Sequence, residues 1–248
     1  MNRDLVILGH HKIGPIPEGG WKSWYYVPTE AFAAQLRLLR DRGYSFLTLD
    51  AFLDGVDRPE ALPEKAALVT FDDGYRSLLR HALPAMRELG VPGVVFVPTD
   101  WVGRDNGFDC GVEPREEIAT WEELAEMERG GLAVQPHGKS HRGLSTLTPA
   151  EVEEEIAGSK RAIEEHLGRP AALFSFPFGD NGADTFTNGS RHEKQDSPLV
   201  DGLLKKHGYR AACVYGGDPI PLDLAHRYRL TRIAMGEDTD LAKALDSR

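Results

Sequence analysis

AALVTFDDGY occupies residues 66–75 and decides the fold. Residues 66–69 are small or branched apolar side chains, and the group Asp72-Asp73-Gly74 follows shortly after them. An uninterrupted apolar run is typical of a strand buried on both faces, as in a parallel sheet covered by helices. Residues just past the carboxyl end of such a strand face the ligand crevice of α/β proteins. The stretch therefore predicts a buried parallel strand that brings two carboxylates to a site.

Similar apolar runs alternate with helical patterns along the chain. The predicted strands are Leu5–Gly9, Ser45–Leu49, Ala67–Phe71, Val94–Val97, Leu132–Gln135, Ala172–Phe176, Ala211–Tyr215 and Tyr228–Ile233. The predicted helices span residues 30–42, 75–89, 121–129, 149–167 and 198–207, and capping boxes at Thr120 and Thr148 begin two of them. About eight β/α repeats match a (β/α) barrel formed by one domain over residues 1–248, although a doubly wound open sheet has the same local pattern.

The composition limits the classes of partner. Acidic residues outnumber basic ones, 39 to 29, for a formal net charge of −10, which argues against a nucleic-acid partner. No apolar run reaches the roughly 18 residues of a transmembrane segment, and the run at residues 5–9 is too short for a signal-peptide core. We therefore expect a cytoplasmic protein, unless an export segment was removed. Cys110 and Cys213 lie far apart and fit reduced thiols.

Two histidines, His137 and His141, follow the predicted strand Leu132–Gln135. Imidazoles at this spacing can bind one ion, and one added carboxylate gives a three-ligand site with an open position for water, as in catalytic zinc sites. The alternative is a pair of exposed loop histidines, just as Asp72 and Asp73 could form only a turn and a helix N-cap. Because both groups lie at strand ends, we predict a shared site for a divalent metal.

Other stretches near strand ends are candidates for the same site. His10 and His11 end the first strand, where alternation sends them to opposite faces, so at most one reaches the site. The polar stretch Asp180–Ser197 is a long loop, either a functional lid or disordered. Several aromatic residues could stack on sugar rings, with core packing as the alternative, which we favour for Trp121. These residues are Trp24, Tyr25, Trp101, Trp121 and Phe178.

In these motifs the sequence resembles the polysaccharide deacetylases of the NodB-homology group, carbohydrate esterase family 4. Residues 70–75 (TFDDGY) resemble the first motif of the family, in which the first Asp is the general base and the second binds metal. His137 and His141 resemble the second motif, in which both histidines are metal ligands. Residues 176–179 (FPFG) resemble the third motif, and residues 7–13 (ILGHHKI) resemble a strand end of the exported polysaccharide-modifying branch.

The resemblance implies a distorted (β/α) barrel that removes N-acetyl groups from an amino-sugar-containing carbohydrate and releases acetate. The implied cofactor is a divalent metal, with Zn²⁺ favoured over Co²⁺, Ni²⁺ or Fe²⁺. The implied roles are metal ligation by Asp73, His137 and His141, general base catalysis by Asp72, general acid catalysis by His11, and substrate binding by Tyr75, Pro177 and Phe178. The backbone N–H of Tyr75 is the expected donor to the oxyanion.

Two departures from the family pattern concern the catalytic groups. The third motif usually carries an Arg that pairs with the base, but Ser175 stands at this place, and Arg232 in the last predicted strand is the candidate substitute that would orient the base. The late Leu-x-His motif that supplies the general acid is not recognisable near residues 215–240. His11 is therefore the best candidate for the acid, and His192 and His226 are poorer ones.

Three other functions remain open at this point. Two histidines and one carboxylate also form the facial triad of non-haem iron oxygenases, although an α/β pattern is the wrong setting for that site. A carbohydrate-binding protein that kept the fold and lost catalysis would explain the missing Arg and late His. A hydrolase of a small amide or cyclic imide would suit a cytoplasmic location.

Overall fold

The computed structural model describes residues 3–182, 186–187, 190–191, 197–216 and 223–248. The strands of this part are β1 (Asp4–His10), β2 (Lys12–Ile13), β3 (Tyr26–Val27), β4 (Ser45–Phe46), β5 (Lys65–Phe71), β6 (Gly93–Val97), β7 (Leu132–Pro136), β8 (Leu173–Ser175), β9 (Phe186–Thr187), β10 (Ser190–Arg191), β11 (Ala211–Cys213) and β12 (Ile233–Ala234). Its α-helices are α1 (Thr29–Asp41), α2 (Leu49–Asp57), α3 (Leu83–Leu89), α4 (Trp121–Arg129), α5 (Pro149–Leu167), α6 (Pro198–Lys206) and α7 (Leu241–Asp246). None of these helices has the length and apolar character needed to cross a membrane.

The main sheet is parallel throughout. Its strand order is β12-β1-β5-β6-β7, and β4 also pairs with β5. From Ala66 to Phe71 every residue of β5 is buried, so both faces of this central strand are covered. The prediction of a buried parallel strand ahead of the two carboxylates is confirmed.

Strands β8 and β11 form a second, two-stranded parallel sheet. Leu230 pairs with Cys213 at the end of β11, and three residues later Ile233 pairs with Leu8 of β1. Between β7 and β8 no backbone ladder forms among the described residues. The strands therefore form an incompletely closed barrel, with a gap between β7 and β8 and a single bridge from β11 to Leu230.

The side chain of Gln135 fills this gap. Its Oε1 atom accepts hydrogen bonds from the backbone N–H groups of Ala172 at 2.8 Å and Leu173 at 2.9 Å. Gln135 is a buried residue of β7, and an unpaired buried amide would be costly. One amide side chain thus replaces the ladder between β7 and β8.

Both predicted capping boxes are present. The Thr120 hydroxyl accepts from the N–H of Glu123 at the start of α4, and the Glu123 carboxylate accepts from the Thr120 N–H. The same reciprocal pair joins Thr148 and Glu151 at the start of α5. These bonds satisfy N–H groups that have no partner within the helix, so they fix where each helix begins.

The predicted helix over residues 75–89 is shorter in the structure. Tyr75 forms an isolated antiparallel bridge with Ile118, and residues Leu78–Ala82 form a π-helical turn before α3. Pro84 has no N–H with which to continue the hydrogen-bond ladder, so the regular α-helix begins only at Leu83.

Four predicted strands are also shorter, and those predicted over residues 172–176 and 211–215 form ladders only at Leu173–Ser175 and Ala211–Cys213. The first, predicted over residues 45–49, ends at Phe46, because Thr48 caps α2 by accepting a hydrogen bond from Ala51 N–H. The last, predicted over residues 228–233, forms a ladder only at Ile233–Ala234, and Leu230 contributes a single bridge.

Candidate active site

The Asp pair lies in a tight turn after β5. The N–H of Asp72 still donates to the carbonyl of His10 at 2.9 Å, so Asp72 remains attached to the sheet. Asp73 then has a φ of +69° and Gly74 a φ of +70°. A Cβ atom at Gly74 would lie 2.9 Å from Val97 Cγ2, so this turn needs glycine. The turn directs the two neighbouring carboxylates to different partners.

Asp73 faces the two histidines. Its Oδ1 atom lies 3.1 Å from His141 Nε2 and 3.6 Å from His137 Nε2, and all three residues are buried. The ligand atoms of these residues lie within 4.8 Å of one another. Asp73 Oδ1 accepts no hydrogen bond of acceptable geometry, which is unusual for a buried oxygen. A carboxylate oxygen and two imidazole nitrogens around one point fit a zinc-like divalent ion.

Neighbouring groups orient both imidazoles. The Nδ1 atom of His137 lies 2.8 Å from the carbonyl oxygen of Ser175, which can only accept, so Nδ1 carries the proton and Nε2 is free to bind an ion. Burial lowers the pKa of His137 to about 4, so its ring is neutral at neutral pH. The ring of His141 lies between those of Phe108, with centroids 4.0 Å apart, and Phe178, at 4.7 Å.

Left-handed backbone conformations concentrate at this site. Among the described residues, the only non-glycine residues with positive φ are Asp73, His141 and Phe178, one from each of the three motifs. Such conformations cost roughly 1–3 kcal/mol each and persist where the surrounding structure enforces them, commonly at functional sites. Their convergence makes this pocket the candidate functional site.

Asp72 is paired with Arg232. Nη1 and Nη2 of Arg232 donate to Oδ1 and Oδ2 of Asp72, both at 2.7 Å, and the two residues are 2% and 1% exposed. Arg232 also donates to Thr70 Oγ1 at 3.1 Å and Ser175 Oγ at 2.9 Å. Burial alone would raise the pKa of Asp72, but Arg232, together with His137 and His11, more than offsets this effect, and the pKa is lowered. Arg232 therefore lies where the sequence argument placed it, beside the candidate base.

His11 and His10 point to opposite sides of the first strand, as alternation predicts. His11 Nε2 lies 4.0 Å from Asp73 Oδ2, and burial lowers the pKa of His11. The ring of His10 packs instead on Phe32 and Phe71 in the core. Only His11 reaches the site.

These side chains border one cavity of about 220 Å³. Its lining consists of His11, Lys12, Tyr25, Asp72, Asp73, Tyr75, Asp109, Val112, Glu113, His137, His141, Phe178 and Tyr215. Of the candidate substrate-binding residues, Tyr75 and Phe178 are in this wall. Pro177 is not, because it is buried against Gly138. In the described chain, the backbone N–H of Tyr75 has no backbone acceptor.

A sequence profile of the polysaccharide deacetylase family matches residues 60–212. The chain belongs to this family. YxkH of Bacillus subtilis strain 168, named after the same family, is 28% identical over 159 residues, 64% of this chain and 53% of that protein. Poly-β-1,6-N-acetyl-D-glucosamine N-deacetylase of Escherichia coli K12 is 33% identical over 110 residues, 43% of this chain and 16% of that protein. The matched region thus spans about half of the first relative and a smaller part of the second.

Solved structures of the family share the fold. IcaB from Ammonifex degensii superposes with a TM-score of 0.70 at 25% identity, covering 98% of this chain and 94% of that one. The Streptococcus pyogenes deacetylase PplD, in complex with acetate, superposes with a TM-score of 0.78 at 18% identity, covering 99% of each chain. This likeness confirms the predicted fold, the distorted (β/α) barrel of polysaccharide deacetylases.

The other aromatic and histidine residues that the sequence suggested for the site of this polysaccharide deacetylase are not in the cavity wall or lie outside the described residues. Trp121 stacks on His166 with ring centroids 4.1 Å apart, so it packs as expected outside the cavity. Trp101 donates from Nε1 to the carbonyl of Ser140, and Trp24 donates to Asp238. His226 lies in a short helical turn, Leu224–His226, and is absent from the cavity wall. His192 and most of the predicted long loop lie outside the described residues.

Sequence reasoning missed several residues of the cavity wall in this polysaccharide deacetylase. Tyr215 packs edge-on against His11 with centroids 4.8 Å apart, and its position at the end of a predicted strand could have indicated it. Asp109 and Glu113 come from an irregular segment with no comparable signal. Burial raises the pKa of Asp109 to about 6, whereas Glu113 accepts a hydrogen bond from the buried Lys12 ammonium at 2.7 Å.

Proposed function

We propose that the protein is a metal-dependent hydrolase that removes N-acetyl groups from an amino-sugar-containing carbohydrate. The observation that carries this proposal is the grouping of Asp73, His137 and His141 beside an arginine-paired Asp72 in one cavity. Family membership supports the reaction class, and the name of the E. coli relative supports an N-acetylated glucosamine polymer as substrate. The products are acetate and a free amine.

Asp73, His137 and His141 would hold the metal. When bound, a divalent ion such as Zn²⁺ lowers the pKa of water towards 7 and polarises a carbonyl. The hydrogen bond from His137 Nδ1 to the Ser175 carbonyl keeps Nε2 unprotonated for this purpose. The unpaired Oδ1 atom of Asp73 supports the same assignment.

Asp72 is the general base in this proposal. Its lowered pKa keeps it ionised at neutral pH, and both of its oxygens are fixed by Arg232. It accepts a proton from the water whose oxygen attacks the acetyl carbon. The N–H of Tyr75 then donates to the acetyl oxygen as negative charge develops there.

His11 is the general acid in this proposal. It faces Oδ2 of Asp73, whereas the two other histidines face Oδ1, and it lines the same cavity. As the bond between the acetyl carbon and the sugar nitrogen breaks, His11 in its imidazolium form gives a proton to that nitrogen and becomes neutral. The second proton of the attacking water ends on acetic acid or solvent, and the proton on Asp72 returns to His11 through solvent, so the step balances.

Aromatic surfaces of the cavity suit a sugar ring. Tyr25 and Tyr215 flank His11, with ring centroids 4.5 and 4.8 Å from it. The ring of Phe178 is 48% exposed and packs edge-on against the ring of His141. Aromatic faces beside hydrogen-bonding groups fit a ligand with apolar faces and polar edges.

The test is acetate release from N-acetylglucosamine oligomers and from small N-acetyl sugars, with and without added zinc or cobalt. We expect metal-dependent release. Tight sugar binding without release under any metal would instead favour an inactive carbohydrate-binding barrel. Hydrolysis of small amides or cyclic imides, with no action on sugars, would favour a small-amide hydrolase.

A further inference from the structure

The segment between the two candidate metal ligands, Gly138-Lys139-Ser140, is held by hydrogen bonds on both sides. The carbonyls of Gly138 and Lys139 accept from the N–H groups of residues 99 and 100, at 3.3 and 2.9 Å. The carbonyl of Ser140 accepts from the Trp101 indole at 3.0 Å. On the other side, the N–H groups of Lys139 and Ser140 and the Ser140 hydroxyl donate toward helix α5.

Glu155 of α5 receives these donors. Its Oε2 atom accepts from the N–H of Lys139 at 2.6 Å and from the N–H of Ser140 at 2.9 Å. Its Oε1 atom accepts from the hydroxyl of Ser140. Glu155 is 7% exposed, and the proposed chemistry gives it no role. A buried carboxylate with three local donors shapes the backbone that it binds.

The backbone next to Glu155 is shaped to make room for its carboxylate. Gly138 has a φ of +71°, and a Cβ atom there would lie 3.0 Å from Glu155 Oε2, so the carboxylate occupies space that only glycine leaves free. His141, which ends the segment, also has a left-handed φ of +60°. Glu155 therefore supports the strained turn that brings the second imidazole to Asp73.

We propose that Glu155 is a positioning residue of the metal site, which fixes residues 138–140 so that His137 and His141 meet at Asp73. This inference rests on the metal site of the proposed function but not on the substrate. A carboxylate accepts all three hydrogen bonds, whereas the amide of glutamine offers one oxygen and turns an NH₂ group toward the donors. Groups that orient metal ligands commonly contribute about 10- to 100-fold to metal affinity.

The experiment measures Zn²⁺ affinity of the metal-stripped protein by competition with a chromophoric chelator. We expect Glu155→Gln to weaken zinc binding about 10- to 100-fold. The matched control is Glu164→Gln on the same helix, which loses a carboxylate that accepts the Ala171 N–H at 3.1 Å, far from the histidines. This control should bind zinc as the wild type does.

Thermal unfolding of the metal-free proteins separates positioning from general stability. Loss of stability in Glu155→Gln with wild-type zinc affinity would overturn the proposal. If Glu155→Gln does not fold, Ser140→Ala decides, because it removes one of the three bonds. A zinc affinity of Ser140→Ala within about twofold of wild type would then overturn the positioning role of Glu155. A several-fold loss of affinity would support that role. A wild-type protein that binds zinc but releases no acetate refutes the proposed function and leaves this inference standing.

Discussion

Arg232 and Asp72 form a doubly hydrogen-bonded ion pair in the interior, with both N–O distances 2.7 Å, although they are 160 positions apart in the chain. The pair joins β5 to the segment that leads into β12. Removing one partner of a buried pair leaves an uncompensated charge, which usually destabilises a protein by about 3–5 kcal/mol. The pair therefore couples the candidate base to the integrity of the barrel.

Replacing Arg232 should change the pH dependence of activity. Arg232 holds the pKa of Asp72 low, and the base works only when ionised, so Arg232→Gln should raise this pKa. The acidic limb of the kcat/KM profile should then move up by about one to three pH units. Arg232→Lys should move it less, because a cation remains. Arg210→Gln, which removes a surface arginine paired with Asp54 and Asp57, should leave the profile unchanged. An unmoved limb in Arg232→Gln would show that Asp72 is not the titrating base.

Asp72→Asn should lose activity but keep metal. An amide cannot accept the proton of water, so kcat should fall by about 10²–10⁴. The three proposed ligands are unaltered, so zinc content by elemental analysis should equal that of the wild type. Asp57→Asn, on the surface beside Arg210 and Arg227, is the control and should alter neither quantity. Full turnover by Asp72→Asn would refute the base assignment.

His11→Ala should lower kcat much more than it raises KM, because proton donation to the leaving amine matters only in the transition state. His226→Ala is the comparison variant, since His226 lies outside the cavity wall, and its kinetics should match the wild type. An unchanged kcat in His11→Ala would transfer the acid role to His192 or solvent.

A chelator should abolish acetate release, and added zinc or cobalt should restore it. His141→Ala should weaken zinc binding by more than about 100-fold, because one of three protein ligands is lost. His166→Ala removes a histidine that stacks on Trp121 outside the cavity and should bind zinc normally. Wild-type zinc affinity in His141→Ala would exclude this ligand set.

Phe178→Ala should raise KM for oligomers several-fold with little change in kcat or melting temperature, because the ring is half exposed and faces the cavity. Leu199→Ala is a matched control, since Leu199 is also 48% exposed but belongs to α6 and is absent from the cavity wall. Equal KM values for the two variants would remove Phe178 from the binding surface.

Residues that follow strand ends were predictable from the sequence. Asp72, Asp73, His137 and His141 each come just after an apolar run, and parallel strands end at a common rim, so the local pattern was sufficient to group them. Arg232 was a candidate because it lies near the end of the last predicted strand and could replace the arginine that is missing from the third motif. The structure places the first four in the wall of one cavity and pairs Arg232 with Asp72, the candidate general base.

Residues whose role depends on distant backbone groups could not be predicted. Gln135 lies in an apolar strand, and nothing near it in the sequence shows that its amide bonds to residues 172 and 173. Glu155 is one of many acidic residues in α5, and only the folded chain shows that its carboxylate accepts from the backbone N–H groups of residues 139 and 140. The shortened helix at residues 75–89 likewise depends on the bridge between Tyr75 and Ile118.

The left-handed backbone at Asp73, His141 and Phe178 has a consequence for engineering and evolution. Glycine would relieve the strain at each position, so selection for thermostability alone would be drawn to the residues that the proposed chemistry needs. Higher stability and retained activity therefore make opposing demands at these three positions. A stabilised variant that keeps its activity should carry its stabilising substitutions in other parts of the chain.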